Sequence, residues 1–506
     1  MTFLVYLPAL LNPGILLARG NDLQEQFWPV FYFIREKFLE THTLPFWNNL
    51  FLSGTPLLPD PQFSLFYPPN WLFILLPTDL AFIIWLILHT FLGGIFFFLL
   101  ARSVFRLSLS TSLVVAVLYI TTPKLGGYLE AGHYGLVGTL TWLPLVILSC
   151  FKLTLSKKIK WALFLGISFA ALFFLHTVTL TLTAASSFLL VLTISILKKS
   201  NLLKDLLMFL LGVITSIGLT AIALFPQIEW LPQTTRFLLL QDRDVYPKWS
   251  SAVEFITSSI SPLLSKNPHY LDTEKWLFLG IVPIILAFIG FVKLKTPYKI
   301  LVAISLFAVV LIASNNVSPL SNLLLSQDWF VLQRVATRIW FVPLILTLTL
   351  AGFALEKIRK NKLLFALAAT LALLESTYIF WLVINKPIQK ETDRFVTKEV
   401  YEFLKKDKER FRVFCTNRCL SQKDSAIHNL ELVEGYNTLQ QTNYYKQAWQ
   451  LTGAYWNYYT LSIPPIGTYA FEKPQPDAVS LGEFNTKYVI SPYELTDKNL
   501  VLKNKF

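Results

Sequence analysis

Long apolar runs constrain the fold of this chain more than any other feature of its sequence. Several of them reach about 20 residues, the length of helix that crosses the hydrocarbon core of a bilayer. Charged residues make up only 15% of the chain, against about 25% in soluble domains, and the mean hydropathy is +0.52. The sequence therefore predicts an integral membrane protein, mainly α-helical.

About eleven apolar segments qualify as membrane spans, with ends uncertain by several residues. They are Thr2–Leu17, Leu80–Leu100, Leu109–Thr122, Gly135–Phe151, Trp161–Leu175, Val178–Leu197, Leu206–Gln227, Trp276–Val292, Ile300–Ser314, Ile339–Leu355 and Leu363–Ile384. A tight turn at His176–Thr177 separates two of these spans.

The basic residues lie mostly in alternate short loops, for example at Arg102, Lys157 and Lys198. These loops hold almost no acids and are expected to face the cytoplasm. All the long loops then fall on the outer face, in a multi-pass protein of the cell membrane. This pattern accounts for the net charge of +13, so we expect membrane lipids and no nucleic acid among the partners.

Two regions follow from the change in composition after residue 384. Residues 1–384 form the predicted transmembrane domain, in which 18–79 is the first extracytoplasmic loop. Residues 385–506 carry charges of both signs and predict a small extracytoplasmic α+β domain. In it we expect a helix at Glu391–Lys408, strands at Arg410–Cys415 and Thr486–Ser491, and an aromatic segment at Gly435–Tyr459.

The first outward loop holds two acids of interest. Asp22 precedes an amphipathic pattern and is a helix N-cap, a general base or both, since a partly buried carboxylate suits proton abstraction. Asp60 lies in a proline-rich turn, LPDPQ, where it either caps the turn or contacts a sugar or a metal.

Further polar candidates lie in the other outward loops. Glu130 and His133 flank a glycine-rich turn, and His133 either holds a phosphate or sugar hydroxyl or makes a structural hydrogen bond. Arg334 and Arg338 share a face if their segment is helical, and contact either a phosphate group of a ligand or lipid headgroups. Arg236 is a weaker candidate of the same kind.

Four residues outside this set leave alternatives open. His89 and Glu375 lie inside predicted spans, where ionisable residues are costly, so each is a functional candidate; Glu375 is equally a neutral packing residue. Cys415 and Cys419 in the tail form a disulfide, stay as two thiols, or contribute to a zinc site. No P-loop, Rossmann fingerprint or zinc spacing occurs.

An ordered series of short phrases runs through the outward segments and the tail. They are D-x3-Q-x2-P (Asp22, Gln26, Pro29), LPFWN (44–48), SGTP (53–56), DPQFSLFYPPN (60–70), GHYGLVGTLTWLPL (132–145), PQIEWLPQTTR (226–236), WLFLGIVPIILAFIG (276–290), QRVATR (333–338), EGYNTLQ (434–440) and FNTKYVIS (484–491).

Taken together, these phrases resemble the YfhO-like family of bacterial membrane glycosyltransferases, within the GT-C superfamily. The resemblance implies transfer of a sugar from a polyprenyl-phosphate carrier to an extracytoplasmic glycan, lipid or protein acceptor. It places the catalytic acid in the first outward loop, at Asp22. It implies no certain cofactor, and a divalent metal between Asp22 and a second acid remains open.

The chain departs from the family in two places. Its first helix is shorter, and its tail ends soon after the KYVIS strand, so we expect a fragment or a diverged gene. Two other classes of function remain alternatives: a lipid or sugar transporter or flippase, and a non-catalytic scaffold derived from such an enzyme. The enzyme hypothesis predicts that Asp22, His133 and Arg334 or Arg338 converge on one cavity.

Overall fold

The computed structural model of the chain describes residues 1–19, 21–260, 273–385, 396–452, 462–463 and 473–505. Within these residues, eight helices are long and apolar enough to cross a membrane. They are Thr78–Ser103, Leu109–Glu130, Tyr134–Ser156, Ile159–Leu197, Leu202–Gln233, Thr296–Ala313, Ala336–Ile358 and Lys362–Ile384.

The 39-residue helix Ile159–Leu197 reverses direction at His176, whose backbone is not helical (φ −164°, ψ 94°). A straight helix of this length would separate its ends by about 57 Å. Yet Lys157 and Ser195, at opposite ends, both contact the carboxylate of Asp205. Two antiparallel helices therefore meet at His176, and the predicted tight turn there is confirmed.

Two shorter apolar helices complete the apolar set, Thr2–Leu11 and Ile281–Val292. Ile281–Val292 packs closely against the helix Phe341–Ile358 at Gly290. A Cβ built on Gly290 would lie 2.1 Å from the carbonyl oxygen of Leu350, so no larger residue fits at this crossing. The count of eleven spans stays a prediction.

The chain forms two compact units. The first comprises residues 1–16, 82–222 and 243–387, and the second comprises residues 17–81, 223–242 and 388–506. The predicted division at residue 384 therefore stays a prediction, as does a separate extracytoplasmic domain.

The first unit adds short elements to the long helices. These are Ala252–Ile260, Thr273–Lys275, Asn315–Val317, Ser321–Leu325, Asp328–Gln333 and Ala336–Trp340.

The second unit is built from short helices and strands. Its helical elements include Gly14–Leu17 in part, Leu23–Phe27, Trp28–Thr41, Pro61–Phe63, Pro68–Trp71, Leu72–Leu75, Leu231–Gln233, Thr235–Leu238, Leu239–Asp242, Lys398–Lys406, Gln422–Ile427, Thr442–Thr452 and Ala478–Glu483. Its strands are Trp47–Asn48, Thr55–Pro56, Arg412–Cys415, Glu431–Leu432, Gly435–Tyr436, Ser462–Ile463 and Thr486–Ile490.

A parallel sheet organises the tail within the second unit. Arg412–Cys415 is its central strand and pairs with Glu431–Leu432 on one side and Thr486–Ile490 on the other. Both strands predicted from the tail sequence are thus present, and the predicted helix is present at Lys398–Lys406. Residues 391–395 and 453–459, the remaining parts of two predicted segments, lie outside the described residues.

Backbone hydrogen bonds join the first loop to this sheet. The amide of Leu432 donates to the carbonyl of Leu50 at 2.7 Å, and the amide of Leu52 donates to that of Glu434 at 3.1 Å. The loop and the tail, some 380 residues apart in sequence, therefore fold as one structure.

Candidate functional site

Asp22 lies at the start of the helical turn Leu23–Phe27, but its carboxylate makes no capping hydrogen bond. The neighbouring Asn21 takes that role, since its side-chain oxygen accepts from the amide of Gln24 at 3.3 Å. The Asp22 Oδ1 atom instead accepts a hydrogen bond from the hydroxyl of Tyr436 at 2.8 Å. Asp22 therefore occupies the predicted N-cap position, but its side chain does not cap the turn.

A buried ion pair lies one helical turn after Asp22. The Arg418 Nη2 atom is 3.0 Å from Glu25 Oε2, and the two side chains are only 1% and 5% exposed. Taking two charges out of water costs several kcal/mol each, so such a pair persists only with additional partners. The hydroxyl of Ser421 supplies one of these to Glu25.

Gln422 connects the ion pair to the segment that carries Tyr436. Its side-chain nitrogen donates to the backbone carbonyl of Glu25 at 2.6 Å, and its side-chain oxygen accepts from the amide of Tyr436. The Arg418 guanidinium lies over the Tyr436 ring at 5.5 Å. We call Asp22, Glu25, Arg418, Gln422 and Tyr436 the loop–tail network.

A disulfide holds Arg418 in place. Cys415 and Cys419 are bonded, so the disulfide alternative is confirmed, and Arg418 occupies the closed loop with a left-handed backbone (φ 53°). The nearby Glu434 is buried, which raises its pKa to about 8. Glu434 is therefore mainly neutral at pH 7, so Glu25 is the carboxylate that compensates the charge of Arg418.

Asp60 is also in the second unit and caps the turn Pro61–Phe63, because its Oδ1 atom accepts from the amide of Gln62 at 3.2 Å. The turn interpretation is thus confirmed. Its side chain is 3% exposed, and burial raises its pKa to about 7. Among the described residues its Oδ2 atom has no hydrogen-bond partner. A sugar or metal contact at Asp60 stays a prediction.

Arg236 lies in the 3₁₀ turn Thr235–Leu238 of the second unit. The amide of the preceding Thr235 donates to the carbonyl of Gln440 at 2.8 Å. The phrases PQIEWLPQTTR and EGYNTLQ, far apart in sequence, therefore meet at this point. A role for Arg236 in substrate binding stays a prediction.

A second group of ionisable residues lies in the first unit, centred on Glu274. Arg338 donates to Glu274 Oε1 from Nε at 3.3 Å and from Nη2 at 3.2 Å, and the side chains are 12% and 6% exposed. Burial acts to raise the pKa of Glu274, but nearby cations, Arg338 first among them, outweigh it and hold that pKa below its ordinary value. Arg338 is therefore engaged with Glu274 inside the protein, and its contact with a phosphate or with lipid headgroups stays a prediction.

Lys124 and His133 also face Glu274. The His133 Nδ1 atom is 3.8 Å from Glu274 Oε1. Lys124 is 2% exposed, and its ammonium donates to the carbonyl of Thr273 at 3.0 Å. Gly132, at φ 76°, allows the turn that places His133 beside these residues, because a positive φ carries little steric cost for glycine.

Glu130, from the same turn, accepts a hydrogen bond from the hydroxyl of Thr273 at 3.1 Å. It therefore lies at the edge of the group and holds the segment that carries Glu274. Contact of Glu130 with a substrate stays a prediction.

His176 completes the group from the reversal point of its helix pair. Arg338 Nη1 lies 2.9 Å from His176 Nε2. The Nδ1 atom lies 2.8 Å from the hydroxyl of Thr179 and accepts from its amide at 3.1 Å. We call Lys124, His133, His176, Glu274 and Arg338 the charge cluster.

Arg334 does not share a helix face with Arg338. The helix Asp328–Gln333 ends before it, and Arg334 has φ 65°, whereas Arg338 lies in the 3₁₀ turn Ala336–Trp340. The backbone pairing of Tyr246 with Val335 interrupts the helix, so the expectation of a common face is wrong. Phosphate binding by Arg334 stays a prediction.

Two intramembrane candidates have structural contacts. Glu375 accepts from the amides of Ile281 and Val282 at 2.7 and 2.8 Å. It therefore caps the start of a helix, where a carboxylate is favoured by the helix dipole. The His89 Nδ1 atom donates to the Trp85 carbonyl at 2.8 Å, and the imidazole stacks on the Trp85 ring.

Sequence reasoning missed most partners in both groups. Arg418, Gln422 and Glu274 lie in no pattern that signals a site, whereas Tyr436 lies within the phrase EGYNTLQ. Asp22 belongs to the second unit and His133 and Arg338 to the first, so their convergence stays a prediction. Among the described residues no cluster of three or more His, Cys, Asp and Glu suits a metal ion, and a metal requirement remains an open prediction.

Comparison with known proteins gives a likeness of fold. No protein-family model matches the chain, and no curated protein matches it. A solved structure of the arabinofuranosyltransferase AftD from Mycobacteria matches with a TM-score of 0.50 and 13% identity over 90% of this chain. Another AftD structure matches at a TM-score of 0.49, 14% identity and 90% of this chain.

The chain spans about a third of AftD, 35% in the first comparison and 33% in the second. At 13% identity, the likeness establishes a similar fold and does not assign catalytic residues. The fold is thus similar to that of an arabinofuranosyltransferase, and the GT-C and YfhO-like assignments stay predictions.

Proposed function

We propose that this chain is a GT-C-like membrane glycosyltransferase that moves a sugar from a polyprenyl-phosphate carrier to an extracytoplasmic glycan, lipid or protein. The observation that carries the proposal is the contact of Asp22. Its carboxylate makes no capping hydrogen bond and instead accepts one from the Tyr436 hydroxyl of the tail. The similarity of fold to a glycosyltransferase supports it.

Asp22 acts as the general base. Its carboxylate accepts the proton of the acceptor hydroxyl as that oxygen attacks the anomeric carbon. The bond between this carbon and the carrier phosphate breaks in the same displacement, and the phosphate leaves with the electron pair. A single displacement of this kind inverts the anomeric configuration.

The charge cluster binds the carrier phosphate. Arg338 offers a planar fork of donors that matches phosphate oxygens. Lys124 and His133 face Glu274, the same buried carboxylate that Arg338 contacts. Cations fixed in a poorly hydrated site stabilise the charge that develops on a leaving oxygen, which is often the largest catalytic contribution. In the free protein Glu274 balances these cations.

The reaction takes place at the outer face of the membrane. The basic loops favour the cytoplasmic side for the opposite helix ends, and the disulfide between Cys415 and Cys419 suits an oxidising compartment. A lipid-linked donor suits this location, because nucleotide sugars are not supplied there and the carrier enters laterally from the bilayer.

Transfer of labelled sugar from polyprenyl-phosphate donors, one carrying arabinofuranose and one a hexose, tests the proposal. Membranes that contain the protein are incubated with each donor, and the label that reaches the glycan fraction is counted. We expect Asp22→Asn to lower transfer by at least about 10²-fold, since a positioned base contributes about 10²–10⁴-fold.

Asp407→Asn is the matched control. Asp407 lies in the same unit and also accepts from a tyrosine hydroxyl, that of Tyr488 at 2.9 Å. It should transfer like the wild type. Wild-type activity of Asp22→Asn would show that Asp22 is not the base.

A further inference from the structure

Tyr436 and Asp22 are 414 residues apart in sequence and share a hydrogen bond of 2.8 Å. We propose that Tyr436 is a positioning residue for Asp22, so that the tail completes the catalytic apparatus. This inference rests on the proposed function, because it takes Asp22 to be the base.

A series of contacts links Asp22 and Tyr436 through two further residues. Along the chain, Asp22 lies three residues before Glu25, which pairs with Arg418. The guanidinium of Arg418 lies over the ring of Tyr436 at 5.5 Å, and the hydroxyl of Tyr436 returns to Asp22. Both ends of the hydrogen bond therefore lie beside the same buried ion pair.

The backbone of Tyr436 is restrained as well. It lies on the strand Gly435–Tyr436, which pairs with Ser462–Ile463. Its amide donates to the side chain of Gln422, which also holds the carbonyl of Glu25. Such support by neighbouring hydrogen bonds is what keeps a catalytic group in its productive orientation.

The hydrogen bond has a chemical consequence for Asp22. A hydroxyl that donates to a carboxylate favours the ionised form, which is the form that accepts a proton. It also limits rotation of the carboxylate. The charged groups beside this contact include Arg418, over the ring of Tyr436, and Glu25, and these two compensate each other.

Tyr436→Phe removes the hydroxyl and keeps the ring against Arg418. With the labelled arabinofuranose and hexose donors, kcat and KM are measured from pH 5 to 9. We expect kcat to fall about tenfold, the donor KM to change less than about twofold, and the acidic limb of kcat/KM to move up by about 1 pH unit. A merely structural contact would not move the acidic limb.

Tyr488→Phe is the matched control, because it removes a tyrosine–aspartate hydrogen bond of 2.9 Å in the same unit. It should leave kcat, KM and the pH profile unchanged. Equal effects of the two substitutions, or a Tyr436→Phe enzyme with a raised KM and an unshifted acidic limb, would overturn the positioning role.

Asp22→Asn, assayed in parallel, separates this inference from the proposed function. If Asp22→Asn is inactive and Tyr436→Phe behaves as the wild type, the positioning role alone is wrong. If Asp22→Asn remains active, the proposed function has failed at its base. Thermal unfolding of each variant establishes that the proteins compared are folded.

Discussion

Arg418 offers the sharpest test of how the first loop is held to the tail. Its partner Glu25 is 3.0 Å away, and both side chains are almost completely buried. Replacing Arg418 with Met leaves the Glu25 charge buried without its cation, and breaking a buried pair in this way costs about 3–5 kcal/mol. The local structure around Cys415–Gln422 should open more often by the corresponding factor.

Amide hydrogen exchange of peptides from residues 410–440 measures this opening directly, without assuming that the whole membrane protein unfolds in one step. The expected loss accelerates exchange by about 10²–10³-fold or more, at 1.4 kcal/mol per factor of ten. Adding Glu25→Gln to Arg418→Met should restore much of the protection, because no charge is then left without a partner.

The exposed pair Lys398–Glu402 provides the control in the same unit. Its side chains are 81% and 57% exposed at 3.3 Å, and such pairs contribute about 0–1 kcal/mol. Lys398→Ala should therefore change exchange by less than about fivefold. An Arg418→Met effect no larger than that of Lys398→Ala, or additive effects of the two buried substitutions, would refute the reasoning.

The remaining predictions concern the charge cluster and Asp60. Arg338→Lys keeps the charge but loses the planar fork, so the donor KM should rise about tenfold. Arg359→Ala alters an exposed ion pair and should leave the donor KM unchanged. Both KM values are measured from initial rates over a range of donor concentrations, and an unchanged KM for Arg338→Lys would argue against phosphate binding. Burial raises the pKa of Asp60 from 3.8 to about 7, so the folded state keeps a proton that the unfolded state releases, and stability falls as pH rises from about 4 to 7. Asp60→Asn should therefore have a free energy of unfolding up to about 4 kcal/mol above that of the wild type at pH 8, and equal to it at pH 4. Thermal unfolding of both proteins at the two pH values measures this difference. The same difference at pH 4 and pH 8 would contradict the prediction.

Local patterns in the sequence predicted the elements that depend on local properties. Apolar length identified the long helices, and the polar pair His176–Thr177 indicated the reversal between two of them. The sequence also predicted strands at Arg410–Cys415 and Thr486–Ser491, which the structure has at Arg412–Cys415 and Thr486–Ile490. The Asp-Pro turn chemistry correctly predicted the capping role of Asp60, because that hydrogen bond spans only two residues.

Tertiary structure alone decided how the candidate residues are paired. The contacts of Asp22 with Tyr436 and of Glu25 with Arg418 join residues about 400 positions apart, and no spacing within a segment encodes them. Glu375 became a helix cap because folding brought the start of another helix to its carboxylate. Arg338 became part of a buried cluster because Glu274 compensates its charge inside the protein. Buried charges of this kind are stable only when packing supplies partners of opposite charge. Which residues become those partners is decided by the tertiary structure.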